Sequence, residues 1–421
     1  MPRPPAPRPP AVVVMLLVLV VGSAVGGCAG SGPGAPIGTG PPTSATGGVP
    51  TTAASGPIQV EVVAAGLKHA WDLGFLPDGA ALVTERPARI RLLSSTRPGA
   101  RVTEVVADLG DVYVQGEGGL MGLVVHPNFA QTRRFTTCQT HQEGGRPVDV
   151  RLVTWELAGD GRQARRVADP LVAGLPLNPS GRHSGCRPTL GPDGALYVGT
   201  GDSATAAVSQ DRTRLGGKVL RIDLRTGGPP PGNPFADSPN PAERLVFTYG
   251  HRNVQGVAVQ PGTGRIFTAE HGPDVDDEIN ILRAGGNYGW DPSRGGSQLY
   301  YDERVPMTDL SRFPAAVPAV WNSGGQTEAI CGDEFIADSP GKDLRWGKLQ
   351  GLLAVTALKG SKLLLMRLNP DATVAQVGQL PQLDGTFGRL RAVRRGPDGA
   401  LYVTTSNGDD DKVLRVAPAG A

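Results

Sequence analysis

FLPDGAALVTE at 75–85, LGPDGALYVGTGD at 190–202, QPGTGRIFTAEHG at 260–272 and RGPDGALYVTTSNGD at 395–409 are four versions of one phrase, a tight turn followed by a short apolar strand. In three of them the turn reads Pro-Asp-Gly, in which proline fixes φ and glycine tolerates positive φ. Strand formers such as Leu401, Tyr402 and Val403 follow, so each phrase predicts a β-hairpin.

Working outward from these hairpins, LVTWEL at 152–157, KVLRIDL at 218–224 and KLLLMRL at 362–368 are short enough for strands and sit between turn signals. No segment carries a long helical period. Hairpins that recur from Val60 to Val416 without a second core predict an all-β propeller, in which each blade buries its faces against its neighbours. The irregular spacing implies long loops between strands, and such loops carry function.

Composition agrees with a loop-rich β chain: 421 residues include 60 Gly and 39 Pro. The formal net charge is only +2, and no run of Lys or Arg extends beyond pairs, so a nucleic-acid partner is not expected.

The first residues differ from the rest. Arg3 and Arg8 precede an apolar run from Ala11 to Val21 and a small-residue stretch ending at Cys28, the anatomy of an export signal over 1–28. The run is short for a spanning helix, which needs about 20 apolar residues. Val25-Gly26-Gly27-Cys28 resembles a bacterial lipobox, so Cys28 is the expected lipidation site and the protein is expected outside the cytoplasm, anchored to the membrane. Residues 29–57 are Gly/Pro/Ser/Thr-rich and read as a flexible tether, leaving 58–421 for the propeller. An exported chain permits disulfides. Three pairings of Cys138, Cys186 and Cys331 are open; Cys138 with Cys186 is preferred because both lie in core strand regions.

Five further segments carry chemistry: GEGGLMGLVVHPNF at 116–129, HSGCRPTLGPDGALYVGTGD at 183–202, YGHRNVQGVAV at 249–259, EHGPDVDDEINIL at 270–282 and GGNYGWD at 285–291. His183 precedes Ser184-Gly185, which suits a loop where an imidazole faces a pocket, and Asp202 closes the following hairpin. A histidine oriented by a carboxylate is the usual general base near neutral pH. Arg252 and Asn253 offer a guanidinium and an amide on one loop, suited to a planar, carbonyl-rich ligand. The alternation in Arg389-Leu390-Arg391 places both guanidiniums on one side of a strand. The acidic stretch after Gly272-Pro273 lacks the spacing of an EF-hand loop.

In this order and spacing the five segments resemble the glucose/sorbosone dehydrogenase family, over about Leu67 to Val416. The resemblance implies a six-bladed β-propeller that oxidises an aldose or related alcohol, with pyrroloquinoline quinone (PQQ) and Ca2+ as cofactors. It implies that His183 takes the hydroxyl proton, that Asp202 orients it and that Arg252 stabilises charge on the quinone oxygens. Glu117, His183, Arg252, Asn253, His271, Asp277, Lys359, Arg389 and Arg391 are the implied cofactor contacts, and the carbonyls of Gly272 and Pro273 the implied calcium ligands. His251 is expected to be structural, and Asp274 and Asp276 solvated. The reduced cofactor would pass electrons to an envelope acceptor.

Three features depart from the family's pattern. Glu117 stands where the family often carries glutamine, Cys186 replaces a small residue, and WNSGGQTEAICGDEFIADSPGKDLRW at 321–346 is polar near the expected pocket mouth. These departures keep a second reading open, a non-catalytic propeller lipoprotein binding an envelope protein or glycan. A calcium-dependent lactonase-like hydrolase is a third. Six histidines lack zinc spacing, and neither a Gly-x-Ser-x-Gly elbow nor a dinucleotide fingerprint is present.

Overall fold

The computed structural model describes residues 57–294, 300–338 and 344–419. The export segment 1–28 with Cys28, and the tether as far as residue 56, lie outside the described residues.

Six four-stranded antiparallel sheets make up the described chain. Their innermost strands are Ala70–Phe75, Leu120–Val125, Arg187–Leu190, Val254–Val259, Ile330–Phe335 and Leu390–Arg395, each beside the next, with the last beside the first. This ring is a six-bladed β-propeller, and the blades are numbered 1 to 6 by those strands. Ile58–Leu67 pairs antiparallel with Asp411–Pro418 and so forms the outer strand of blade 6. Start and end of the propeller thereby share one sheet, and that pairing closes the ring.

The repeated phrase is the hairpin joining the innermost strand of a blade to the second. Phe75 faces Ala81, Leu190 faces Leu196, Val259 faces Ile266 and Arg395 faces Leu401 across these turns. The Pro-Asp-Gly glycines Gly79, Gly194 and Gly399 have φ of 87°, 76° and 88°, where a side chain would be strained. Blade 2 makes the same connection with a one-turn helix, Phe129–Thr132, and blade 5 with a long segment between Phe335 and Leu353.

Each blade packs between two others, so its central strands are buried on both faces and read as continuous apolar runs. All five residues of Ala81–Glu85 and of Leu401–Thr405 are buried. Trp71, Trp155, Trp290 and Trp346 are completely enclosed. Near the axis, Asp72 of blade 1 receives Arg394 of blade 6 at 2.8 Å and Arg187 of blade 3 at 2.9 Å. Its carboxyl is held below the ordinary range because those two charges outweigh the effect of burial, which acts upward.

Cys138 and Cys186 form a disulfide with Cα atoms 6.2 Å apart. Cys138 lies in the strand Arg134–Glu143, whereas Cys186 comes one residue before its strand, where the chain leaves the loop carrying His183. Cys331 is free and buried beneath the site, not at its mouth.

Candidate functional site

If the hairpin turns lie at one end of the inner strands, the start of each innermost strand and the end of each second strand lie at the other. His183, Arg252, Asn253 and Arg389 come just before innermost strands. Asp202, His271, Gly272, Pro273 and Lys359 come just after second strands. Topology alone therefore gathers them on one face.

His183 is buried and its Nδ1 lies 2.7 Å from Asp202 Oδ1. Nδ1–H therefore donates to the carboxylate, which leaves the Nε2 lone pair turned to the cavity. The other Asp202 oxygen accepts from Trp290 Nε1 and Tyr301 Oη, both at 2.8 Å. Burial acts to raise the Asp202 carboxyl, yet the charge and hydrogen bond of His183, then Arg252 and Trp290, hold it below the ordinary value. The loop fits only because residue 201 is glycine: a Cβ there would lie 1.8 Å from the His183 carbonyl oxygen. Beneath it, Lys218 Nζ donates to the carbonyls of Val208, Ser209 and Gly216, fixing the segment after Asp202.

A cavity of about 460 Å3 opens at His183 Nε2 and is lined by residues from blades 2 to 6. Among the residues named from sequence, Glu117, His183, Arg252, Asn253, His271, Gly272, Pro273, Lys359 and Arg389 line it. Asp202 stands behind His183.

Two expected cofactor contacts do not reach the cavity wall. The Asp277 carboxylate accepts from Gly272 N at 2.9 Å, Thr327 Oγ1 at 2.8 Å and Glu328 N at 2.7 Å. It braces the Gly272-Pro273 corner and has no oxygen turned to a ligand. Arg391 is buried one layer down, its Nη1 3.3 Å from Gln255 Oε1 and 3.7 Å from Cys331 Sγ, because the alternation that aligns it with Arg389 also carries it deeper into the strand. Asp274, expected in solvent, is exposed but does line the cavity. His251 is structural, between Glu270 at 2.8 Å and Thr248 at 2.9 Å and stacked on Tyr288.

Glu117 is accommodated by donors. Asn253 Nδ2 donates to it at 3.1 Å and Gln255 Nε2 at 3.4 Å. Burial would raise its carboxyl, but the neighbouring His183 and His271 and the hydrogen bond from Asn253 hold it below the ordinary value. The Asn253 carbonyl is also engaged, accepting from Gly185 N at 3.2 Å, so this amide locks the His183 loop.

The cationic wall is unbalanced. Among the described residues no carboxylate pairs with Lys359 or Arg389. Arg86, a residue with no sequence signal beyond its place at the end of a second strand, has a buried Nε without a hydrogen-bond partner. Burial and then the charge of Arg391 depress the pKa of both Arg86 and Arg389. Three guanidiniums thus repel one another around Arg389 at one end of the site, with Glu117 opposing the effect on Arg86, an arrangement that suits an anionic ligand. Beneath the floor, His271 Nε2 lies 3.7 Å from Cys331 Sγ. Burial acts against both charged forms, but the pair favours the imidazolium and, with Arg391, the thiolate.

The family profile described as Glucose / Sorbosone dehydrogenase matches residues 67–415. The chain belongs to the glucose/sorbosone dehydrogenase family. The aldose sugar dehydrogenase YliI of Escherichia coli is 30% identical over 370 residues, covering 87% of this chain and 94% of that protein. Quinoprotein glucose dehydrogenase B of Acinetobacter calcoaceticus is 30% identical, covering 82% and 84%. The PQQ-bound aldose sugar dehydrogenase of Streptomyces coelicolor superposes with a TM-score of 0.66 at 31% identity, over 86% of this chain and all of that one. As a member of this family, the chain is an oxidoreductase acting on CH–OH donors.

Arg182, Tyr301, Glu303, Thr327 and Ala329 also touch the site and were not anticipated. Tyr301 and Glu303 come from a connection without regular structure or repeat, so only its spatial return over His183 reveals them. Arg182 adjoins His183 and was legible as a neighbour, though without a role.

Proposed function

We propose that the protein oxidises an aldose or related alcohol, with PQQ as hydride acceptor and Ca2+ beside it. The observation that carries this reading is an Asp202-oriented His183 whose Nε2 faces a cavity where Lys359 and Arg389 have no carboxylate partner among the described residues. The donor set suits PQQ: Lys359, Arg389 and Arg86 would hold its carboxylates, and Arg252 its quinone oxygens. The carbonyl of Pro273 would face the calcium, joined by that of Gly272, whose oxygen also accepts from Arg252 Nη1 at 2.9 Å and would have to share or release that bond. Asp277 braces this corner, and oxygen ligands suit a hard cation. When bound, PQQ supplies the two-electron acceptor that the side chains lack.

The protein's own residues supply the rest. His183 Nε2 removes the substrate hydroxyl proton as the C–H bond gives up its hydride, and Asp202 stabilises the imidazolium that forms. The fixed charge of Arg252 would stabilise negative charge growing on a quinone oxygen. An aldose would leave as the lactone. Export with a lipid on Cys28, and electron delivery to an envelope acceptor, complete the proposal and rest on the N-terminal sequence.

The test is titration of the purified protein with PQQ and calcium, followed by cofactor absorbance and by dye reduction with a panel of aldoses. Calcium-dependent binding, with His183→Ala retaining the cofactor and losing turnover, is the expected result. Absence of binding at micromolar PQQ overturns the reading.

A further inference from the structure

The guanidinium of Arg252 has only one edge left for a ligand. Its Nη1 donates to the carbonyl oxygens of His271 at 3.0 Å and Gly272 at 2.9 Å, fixing the group against blade 4. Its Nη2 points into the cavity, where it donates to Glu303 Oε1 at 2.6 Å. The same oxygen lies 3.9 Å from His183 Nε2, and the second oxygen accepts from Arg182 Nη2 at 3.0 Å. One carboxylate oxygen of the protein thus sits between the base and the cation that the oxidation needs on either side of its reacting oxygens.

We infer that Glu303 is a displaceable placeholder: its carboxylate occupies the ligand-oxygen position between Arg252 and His183 and is exchanged for a ligand oxygen on binding. The inference rests on the proposed role of Arg252 toward the quinone.

Three observations carry the exchange. First, the strength of the contact is graded. The Arg252 side chain is only 6% exposed, whereas Glu303 is 35% and Arg182 48% exposed. The carboxylate can return to water at modest cost, because it is already partly solvated and the incoming ligand oxygen takes over the buried cation, which stays fixed. Second, the neighbours of Glu303 are anchored independently. Tyr301 is bound to Asp202 at 2.8 Å, and Asp302 N donates to the Pro292 carbonyl at 2.9 Å. Rotation of the Glu303 side chain is enough to clear the position, with no opening of the segment that carries it. Third, Arg252 Nε is buried without a hydrogen-bond partner, so the guanidinium has unspent capacity toward a larger acceptor than one carboxylate oxygen. The placeholder keeps a buried cation satisfied in the meantime, which limits the cost of holding it ready.

The experiment measures PQQ binding, not turnover, with the full chain and calcium in stopped flow and by equilibrium absorbance. Glu303→Gln and Glu303→Ala are compared with the unaltered protein and with Asp274→Asn, which removes a carboxylate from the same cavity without touching Arg252. Far-UV circular dichroism verifies that each variant is folded. Both Glu303 variants are expected to bind PQQ roughly two- to fivefold tighter, mostly through faster association, and Asp274→Asn is expected to show a smaller gain. Unchanged or weaker binding by both Glu303 variants, or an equal gain in Asp274→Asn, overturns the placeholder and leaves the cofactor assignment standing. Failure of the unaltered protein and every variant to bind PQQ overturns the cofactor assignment, and the inference with it.

Discussion

Asp202 grips His183 through one carboxylate oxygen at 2.7 Å while its other oxygen is held by Trp290 and Tyr301 at 2.8 Å each. The carboxylate is therefore fixed at both ends, and the imidazole it orients has one tautomer available. Asp202→Asn breaks this logic with almost no change in shape. An amide can donate to Nδ1, which moves the ring proton to Nε2 and removes the base. Turnover is expected to fall by about 10²- to 10⁴-fold, the range of general-base catalysis, with PQQ affinity changed only a few-fold. Steady-state dye reduction alongside cofactor titration checks this, and a variant retaining more than a tenth of the rate would remove His183 from the base role.

The Glu278 carboxyl makes stability depend on pH. It is fully enclosed and pushed up to about 8, first by burial and then by the negative charge of Glu270. The folded protein keeps this proton up to about pH 8, whereas the unfolded chain releases it near 4.5. The contribution is complete below about 4.5 and is lost as pH rises through that window, at about 1.4 kcal/mol per pH unit. Glu278→Gln is expected to flatten the decline and to be the more stable protein at pH 8. Urea unfolding at half-unit intervals from pH 5 to 8.5 decides it, and parallel curves for the two proteins would exclude Glu278 as the source.

The repelling guanidiniums make the opposite kind of trade. Burial and Arg391 disfavour the charge on Arg389, and no carboxylate among the described residues compensates it. Arg389→Gln is therefore expected to raise the melting temperature measured without cofactor and to weaken PQQ binding by about tenfold, the loss of one charge-assisted contact. Thermal scans with and without PQQ read both effects. A lower melting temperature in the absence of cofactor would show that Arg389 supports the fold itself.

What was legible in the sequence followed from short-range rules. The Pro-Asp-Gly turns announced the inner hairpins of blades 1, 3 and 6, because a positive φ at a fixed offset leaves a local signature. Blades 2 and 5 replace that turn with a short helix or a long connection, so the repeat there is silent. His183, Asp202 and Arg252 were found because they adjoin strands in patterned motifs, and Lys359 only because the family resemblance implied it. Arg86 and Glu303 were missed for different reasons: Arg86 gains its meaning only from guanidiniums some 300 residues away in blade 6, and Glu303 from a loop that folds back. Arg391 and Asp277 show the limit from the other side, since a motif names residues without telling which ones face the cavity and which stand behind it.

The Cys138–Cys186 bond joins stability to the site. It closes a loop of 48 residues between the second strand of blade 2 and the entry to the inner strand of blade 3, three residues after His183. Cross-linking such a loop typically contributes about 2–4 kcal/mol. Gly185 N, beside Cys186, donates to Asn253 Oδ1, so the bond also steadies the amide that fixes the His183 loop. The double variant Cys138→Ala/Cys186→Ala is expected to lose about that stability and to show lower turnover at temperatures where it remains folded. Denaturant midpoints give the first quantity and rates at 15 °C the second. A loss of stability with an unchanged rate would mean that the Asn253 contact alone holds His183, whereas a loss of both follows if loop and disulfide act as one support.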